Sequence, residues 1–328
     1  MGRASLVQGH INETVVSKFL LLGLLHLSNI KPAMFGAFLV VFLMTLTGNS
    51  LIIWVIRADL RLHTPMYYFL GNLSFLEICY TSITIPNALS NILQDTIAIS
   101  FAGCMTQVYL FTLCATAECI LLAAMACDRY VAICRPLRYT ALINRTVCVG
   151  LAAFAWMSGF INSTINTILT SRLVFCGSNS IERLYCEVQP LIRLSCGETW
   201  LNDIFAMASG AVFGVSCLLF ILTSYVFIIL VILRMPSRQS RHKTFSTCAS
   251  HVIVVILYYG ALIFMYLLPN TGSSQKVDIA VSLIYSTLTP MLNPIIYSLR
   301  NQQVKGALRA AIVGKWVLMS ERLGCRRH

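Results

Sequence analysis

Charge is what this sequence has least of. Lysine, arginine, aspartate and glutamate make up 11% of its 328 residues, where an ordinary water-soluble domain has about 25%. Length alone would suggest roughly two domains of about 150 residues, but twelve acids and twenty-four bases cannot clothe such a surface. A soluble two-domain enzyme is excluded. Also missing are G-x-S-x-G and H-E-x-x-H, the pointers to an intramembrane enzyme, and any C-x-x-C pair that would suggest zinc. No pair of repeated halves with matching broken helices is present, which argues against a transporter or channel. No cleavable signal peptide is expected, because the first apolar patch, 19–30, has only 12 residues.

Long uncharged runs are present instead. They occupy 32–56, 96–117, 146–171, 204–233, 244–275 and 279–299, and a further stretch, 62–94, is broken only by Glu77. A bilayer core about 30 Å thick needs about 20 apolar residues of helix. Each run is long enough, and the third can continue past Glu118 to Asp128. The fold expected is all-α, a bundle of seven membrane-spanning helices over 32–300, with an outer segment 1–31 and an inner tail 301–328.

The net charge of +12 could point to nucleic acid, so its distribution decides the partner. With the amino terminus outside, the inner side holds seventeen bases against Asp59, Asp128 and Glu321, a net of +14, while the outer side holds seven bases and seven acids. This is the positive-inside pattern, and it fixes orientation without a nucleic-acid partner. The same inner bases favour anionic lipid headgroups. In the tail, Lys305, Arg309 and Lys315 on an otherwise apolar strip read as a short amphipathic helix on the inner leaflet. Of the N-x-S/T sequons, only Asn12 falls outside the membrane on the outer side, so it is the expected glycan site.

Cysteine follows the same division. Cys104, Cys176, Cys186 and Cys196 fall on the oxidising side, and an even number there favours two disulfides. Four cysteines allow three pairings, and spacing alone does not choose. The other nine are small buried thiols by the ordinary reading.

Ionisable and amide side chains at membrane depth need a reason. Glu77 and Glu118 lie within spans, with Asn49 and Asn293 at comparable depth. Two neighbouring carboxylates would share a proton or enclose a cation such as Na⁺; a purely structural hydrogen-bonded core is the alternative. Pro86, Pro290 and Pro294 kink helices or free carbonyls. Asp128-Arg129-Tyr130 sits at the inner end of the third span.

Four long motifs then converge. MACDRYVAICRPLRY (125–139), LHTPMYYFLGNLSFLEICY (62–80), KTFSTCASH (243–251) and PMLNPIIYSLRN (290–301) occur in order along the chain. Together they resemble the signatures of the odorant receptors among rhodopsin-like G-protein-coupled receptors, of the tetrapod type. Ser224-Tyr225, the outer cysteine series and the run from Asn12 through Phe19-Leu20-Leu21-Leu22-Gly23 resemble that family too. The resemblance implies the pairings Cys104 with Cys186 and Cys176 with Cys196. It also places Glu77, Glu118, Asn49 and Asn293 in the family's cation-pocket region. Departures are Cys127 where the family usually has Tyr, Thr244 where it usually has Ala, and Gly71 for the more frequent Ser. Cys127 removes an aromatic packing surface beside the charged pair.

The function implied is an odorant receptor in the plasma membrane that binds a small neutral volatile and activates a stimulatory olfactory-type G protein, raising cAMP. No reaction is catalysed and no cofactor is needed beyond a structural Na⁺. An agonist would shift a closed–open equilibrium by binding the open form more tightly. Asp128 would hold Arg129 until the inner end of the sixth helix swings away, with Tyr130, Tyr225, Asn293, Pro294 and Tyr297 as the remaining switch residues. His251, on the same helix, is expected to be packed and hydrogen-bonded rather than titrating. Helical steps counted outward from Arg129 put Val108, Phe111, Thr112 and Ala115 on the ligand pocket, and from Tyr225 they give Phe205 and Ser209. On the sixth helix the resemblance makes Tyr259 the family's aromatic toggle position, with Leu262, Ile263 and Tyr266 following on that face, and Ile279, Ser282 and Leu283 would close the seventh-helix side. The lining is apolar with a few hydroxyls and no acid, which suits a neutral volatile and argues against a biogenic amine.

Overall fold

A computed structural model describes residues 16–22, 31–94, 98–176, 179–181, 183–267, 287–300 and 304–307. The long helices are α1 (Lys31–Ala58), α2 (Pro65–Gln94), α3 (Phe101–Cys134) and α5 (Arg145–Ser171), with the short α4 (Tyr139–Leu142) between the last two. After α6 (Val188–Leu194), the fifth span is α7 (Trp200–Ser209), a π-helical turn (Gly210–Val215) and α8 (Ser216–Arg234). The sixth is α9 (Arg238–Leu267), and α10 (Thr289–Arg300) is the described part of the seventh. Five of these spans are both long and apolar enough to cross a membrane. The 30-residue α2 is long enough but studded with asparagine, serine and threonine, and most of the seventh run lies outside the described residues.

Burial is inverted relative to a water-soluble protein. Leu43, Leu51, Phe154, Phe160, Ile204, Leu219, Val226 and Ile256 are exposed, whereas Thr45, Asn49, Glu77, Glu118, Asp128, Asn162, His251 and Asn293 are buried. Apolar side chains outward and polar ones inward is the arrangement a hydrocarbon solvent demands. α3 is the central post, packed on α2, α5, α8 and α9. Ser100 and Asn144 cap α3 and α5, accepting hydrogen bonds from the Gly103 and Val147 N–H groups. α5 approaches α3 so closely that a Cβ on Gly159 would lie 2.7 Å from the Leu113 carbonyl oxygen. On the other side of the bundle, a Cβ on Gly48 would lie 3.1 Å from the Pro294 ring, where α1 meets α10.

One end of the bundle departs from the all-helical expectation. Strand β1 (Lys18–Leu21) pairs antiparallel with β2 (Ala98–Ser100), Phe19 opposite Ile99, and parallel with β3 (Ser180–Ile181), Leu20 opposite Ser180. Phe19, Leu21, Ile99, Cys104, Val108, Phe175 and Ile181 form a second core beneath this sheet. The implied disulfides are both formed, Cys104–Cys186 and Cys176–Cys196, with Cα separations of 5.3 and 5.8 Å. This is the disulfide end; the opposite, arginine-rich end is the basic end. Asn12 and most of the tail lie outside the described residues, which include a single helical turn at 304–307.

Candidate functional site

At the basic end, three helices meet at one imidazole. His251 of α9 is fully buried, with Nε2 3.1 Å from the Leu122 carbonyl of α3 and Nδ1 2.8 Å from the Tyr225 hydroxyl of α8. A carbonyl can only accept, so Nε2 carries the proton and Nδ1 accepts from Tyr225. The two rings also stack, centroids 5.7 Å apart and 17° between planes. His251 is thus packed and doubly hydrogen-bonded. It ties the sixth span to the third and fifth.

The Asp128–Arg129 pair is looser than its adjacency suggests. Arg129 Nε stands 4.0 Å from Asp128 Oδ2 and makes no hydrogen bond. The close partner of Asp128 is Tyr139, whose hydroxyl donates to Oδ1 at 2.7 Å. Burial and that carboxylate push the Tyr139 phenol well above its ordinary range. Tyr139 ends the loop that turns at Pro136–Arg138, and this turn presents Leu137 99% exposed between exposed Arg135 and Arg138. Tyr130 packs edge-on against Phe227 and against the cluster of Ile228, Ile232 and Cys248. Tyr297 is buried, and its hydroxyl makes no hydrogen bond.

Midway along the bundle lies the polar core. Asn293 Nδ2 donates to Glu77 Oε1, and Asn49 Nδ2 donates to the Thr45 and Pro290 carbonyls at 3.0 and 3.2 Å. Three buried oxygens are left over: Asn49 Oδ1, Asn293 Oδ1 and Glu118 Oε1 have no hydrogen-bond partner. Glu118 is also within electrostatic reach of Glu77. Carboxylate and amide oxygens are a donor set for a hard cation. No cluster of three His, Cys, Asp or Glu occurs among the described residues, so no transition-metal site is found there.

Toward the disulfide end, the residues expected around a ligand separate into groups. Phe111 is sandwiched by Tyr80 and Tyr185, ring centroids 5.4 and 5.5 Å away. The Ala115 carbonyl accepts the Tyr258 hydroxyl at 2.9 Å, and the Thr112 carbonyl accepts that of Thr116 at 2.8 Å. Tyr259 is buried beside Cys119, Leu262 packs on the main core, and Phe205 and Ser209 are half-buried on α7. Two positions stand apart from the rest. Val108 is fully buried in the second core, clustered with residues of the strands and the Cys104–Cys186 bridge. Ile263 is 41% exposed, because it falls seven residues after the outward-facing Ile256 and shares its stripe. The Tyr266 side chain and Ile279, Ser282 and Leu283 lie outside what is described.

The loop between α5 and α7 supplies what the count missed. Leu184 and Tyr185, just before Cys186, are buried in the main helical core, so the loop enters the bundle. Gln107 holds it there: its carbonyl oxygen accepts from the Cys186 N–H at 3.0 Å, and its amide donates to Ile83 at 3.3 Å. Gln107 lies three residues after Cys104, a spacing that puts both on one helix face.

Comparison with known proteins decides the family. The olfactory receptor family model matches residues 38–315. Olfactory receptor 8U9 of Mus musculus is 45% identical over 310 residues, 94% of this chain and 99% of that protein. Olfactory receptor 9G4 of Homo sapiens is 45% identical over 300 residues, 92% of each chain. The chain belongs to the olfactory receptor family. It is therefore a multi-pass, seven-span receptor of the G-protein-coupled class and not an enzyme. The sequence motifs of this olfactory receptor contain Asp128-Arg129 and His251 but do not give their geometry. Tyr139 and Leu137 both stood inside the 125–139 motif. What distinguished them is where the loop folds, which a linear motif does not encode.

Proposed function

We propose that this olfactory receptor binds a small neutral volatile among α3, α7, α9 and the seventh span beneath the disulfide-tied loop, and couples through its basic end to a stimulatory heterotrimeric G protein, raising cAMP. The disulfide end is extracellular, with Asn12 its glycosylation site, and the basic end faces the cytoplasm of a cell whose plasma membrane holds the receptor. The observation that carries this reading is the three-helix junction at His251. Opening α9 away from α3 must break the His251–Leu122 hydrogen bond, freeing Tyr225 to turn toward Arg129. The exposed Leu137, presented by the Pro136–Arg138 turn between two exposed arginines, supports a docking role for that loop.

Ligand chemistry follows from the lining. Phe111, Tyr259, Leu262 and Phe205 give dispersion and shape, Thr112 and Ser209 give isolated hydroxyls, and none of these positions carries an acid. In the polar core, Glu77, Glu118, Asn49 and Asn293 would hold a Na⁺ ion, which would give Asn49 Oδ1, Asn293 Oδ1 and Glu118 Oε1 the partner they otherwise lack. The ion would favour the closed bundle by joining the first, second, third and seventh spans.

Screening the receptor with a cAMP reporter against a broad odorant panel tests the reading. Arg129→Ala at equal surface level should abolish every response found; a retained full response would sink the coupling assignment. Glu118→Gln should remove the sodium dependence of agonist-free signalling, and indifference to sodium in both proteins would leave the polar core purely structural.

A further inference from the structure

We propose that Tyr185 and Phe111 form a wall that sets the greatest length of odorant this receptor accepts, by shutting off a side chamber among the first, second and seventh spans. Its role as a ruler rests on the reading of the ligand pocket given above, and narrows the ligands of that pocket to compact neutral volatiles. A cavity of about 10 Å³ marks the chamber, about the room of a single water molecule. Phe38 of α1, Thr84, Ile85 and Ala88 of α2, Tyr185 of the loop and Thr287 of the seventh span line it. Tyr185 has a second neighbour, stacking on Phe111 with centroids 5.5 Å apart and 29° between planes. Phe111 in turn meets Tyr80 of α2 at 5.4 Å. The three buried rings therefore run in series from α2 through α3 to the loop, between the chamber and the helices that surround the ligand pocket.

The wall is pinned close to its rings. Tyr185 directly precedes Cys186, which is bonded to Cys104 and whose N–H is held by Gln107 at 3.0 Å. Cys104, Gln107 and Phe111 are spaced i, i+3 and i+7, so the two anchors and the first ring share one face of α3. An aromatic side chain adds few rotatable bonds to that fixed backbone. The length limit is thus built in and does not adapt to the ligand.

Behind the wall the lining suits an alkyl tail. Phe38, Ile85 and Ala88 are apolar, and the Thr84 hydroxyl is already spent on the Tyr80 carbonyl at 3.1 Å. One turn beyond Ala88, on the face that carries Thr84, lies Asn91. It is buried, and its Nδ2 has no hydrogen-bond partner. A tail that reached it would find a donor for an ether or carbonyl oxygen.

Thiol labelling of the full-length receptor in lipid nanodiscs tests the wall without any odorant. Methyl methanethiosulfonate should modify Ala88→Cys, read at that residue by mass spectrometry, at least about tenfold faster when Tyr185→Ala is added. Equal rates would overturn the wall. Phe111→Val opens the same wall from α3, should act alike, and replaces Tyr185→Ala if that variant fails to reach the surface. The second arm is a cAMP reporter with unbranched aliphatic aldehydes of rising length, at equal surface level. In Tyr185→Ala the most potent aldehyde should be longer than in wild type by about two methylenes, each worth about fourfold in potency; Tyr185→Phe should keep the wild-type optimum. An unchanged optimum in both opened variants, with residue 88 labelled, would overturn the ruler. An ether oxygen at the far end of the tail should add about 2- to 12-fold in Tyr185→Ala, and Asn91→Leu should cancel that gain. A gain that survives Asn91→Leu would remove Asn91 from the chamber. A receptor whose labelling is gated as expected but which raises cAMP to no odorant would refute the coupling reading and leave the walled chamber standing.

Discussion

Removing the His251 imidazole should raise agonist-free signalling. In His251→Leu both of its hydrogen bonds disappear, one to the Leu122 carbonyl and one to the Tyr225 hydroxyl. A neutral hydrogen bond contributes about 0.5–1.5 kcal/mol net, so the two together are worth roughly 1–3 kcal/mol. If both exist only while α9 lies against α3, the closed-to-open ratio falls by about 5- to 150-fold, since each 1.4 kcal/mol is about a factor of ten. The lost aromatic stack with Tyr225 pushes the same way. The assay is cAMP in the absence of odorant, normalised to surface receptor. Tyr225→Phe supplies the internal control. It removes only one of the bonds, but it also removes a hydroxyl that the open state uses, so basal signal should rise less and the maximal odorant response should fall. A basal signal in His251→Leu at or below wild type, at equal surface level, would refute the reasoning.

Three further outcomes follow from packing. Gly159→Val should sharply reduce surface receptor, because a Cβ there meets the Leu113 carbonyl at 2.7 Å and overpacking costs about 1–3 kcal/mol; normal surface staining would contradict the close α3–α5 approach. Phe19→Ala empties the second core beneath the sheet, a loss of about 3–5 kcal/mol for a buried phenylalanine. Its thermal midpoint in detergent should drop with both disulfides intact. Gln107→Leu should weaken odorant responses while sparing agonist-free signalling, since it releases the loop carrying Tyr185 and leaves the basic end alone. Concentration–response curves that overlay wild type would dismiss that role.

How much was legible beforehand depended on the range of the interaction. The spans could be read because hydrocarbon solvation acts on each helix separately, and uncharged runs such as 32–56 satisfy it without reference to any neighbour. Glu77, Glu118, Asn49 and Asn293 were recognisable for the same reason, as costly groups at membrane depth. The surroundings of the pocket residues were not legible in the same way. Counting turns from Arg129 gives an angle around α3 but not where the loop and strands cover it, which is why Val108 proved to belong to the second core. On α9, Tyr259 was placed by the family resemblance and Ile263 by following its face; Tyr259 is buried and Ile263 is 41% exposed.

From the sequence by itself came the membrane class, the number of spans expected, the charge asymmetry between the two faces and the positions of the buried polar residues. All of these are set by local composition against a solvent that varies with depth. Tertiary structure alone decided partnerships between residues far apart in the chain. Asp128 meets Tyr139 more closely than the adjacent Arg129, His251 joins Leu122 to Tyr225, and Phe111 is closed over by Tyr185. These distances depend on how helices and loops pack together. No single segment carries that information.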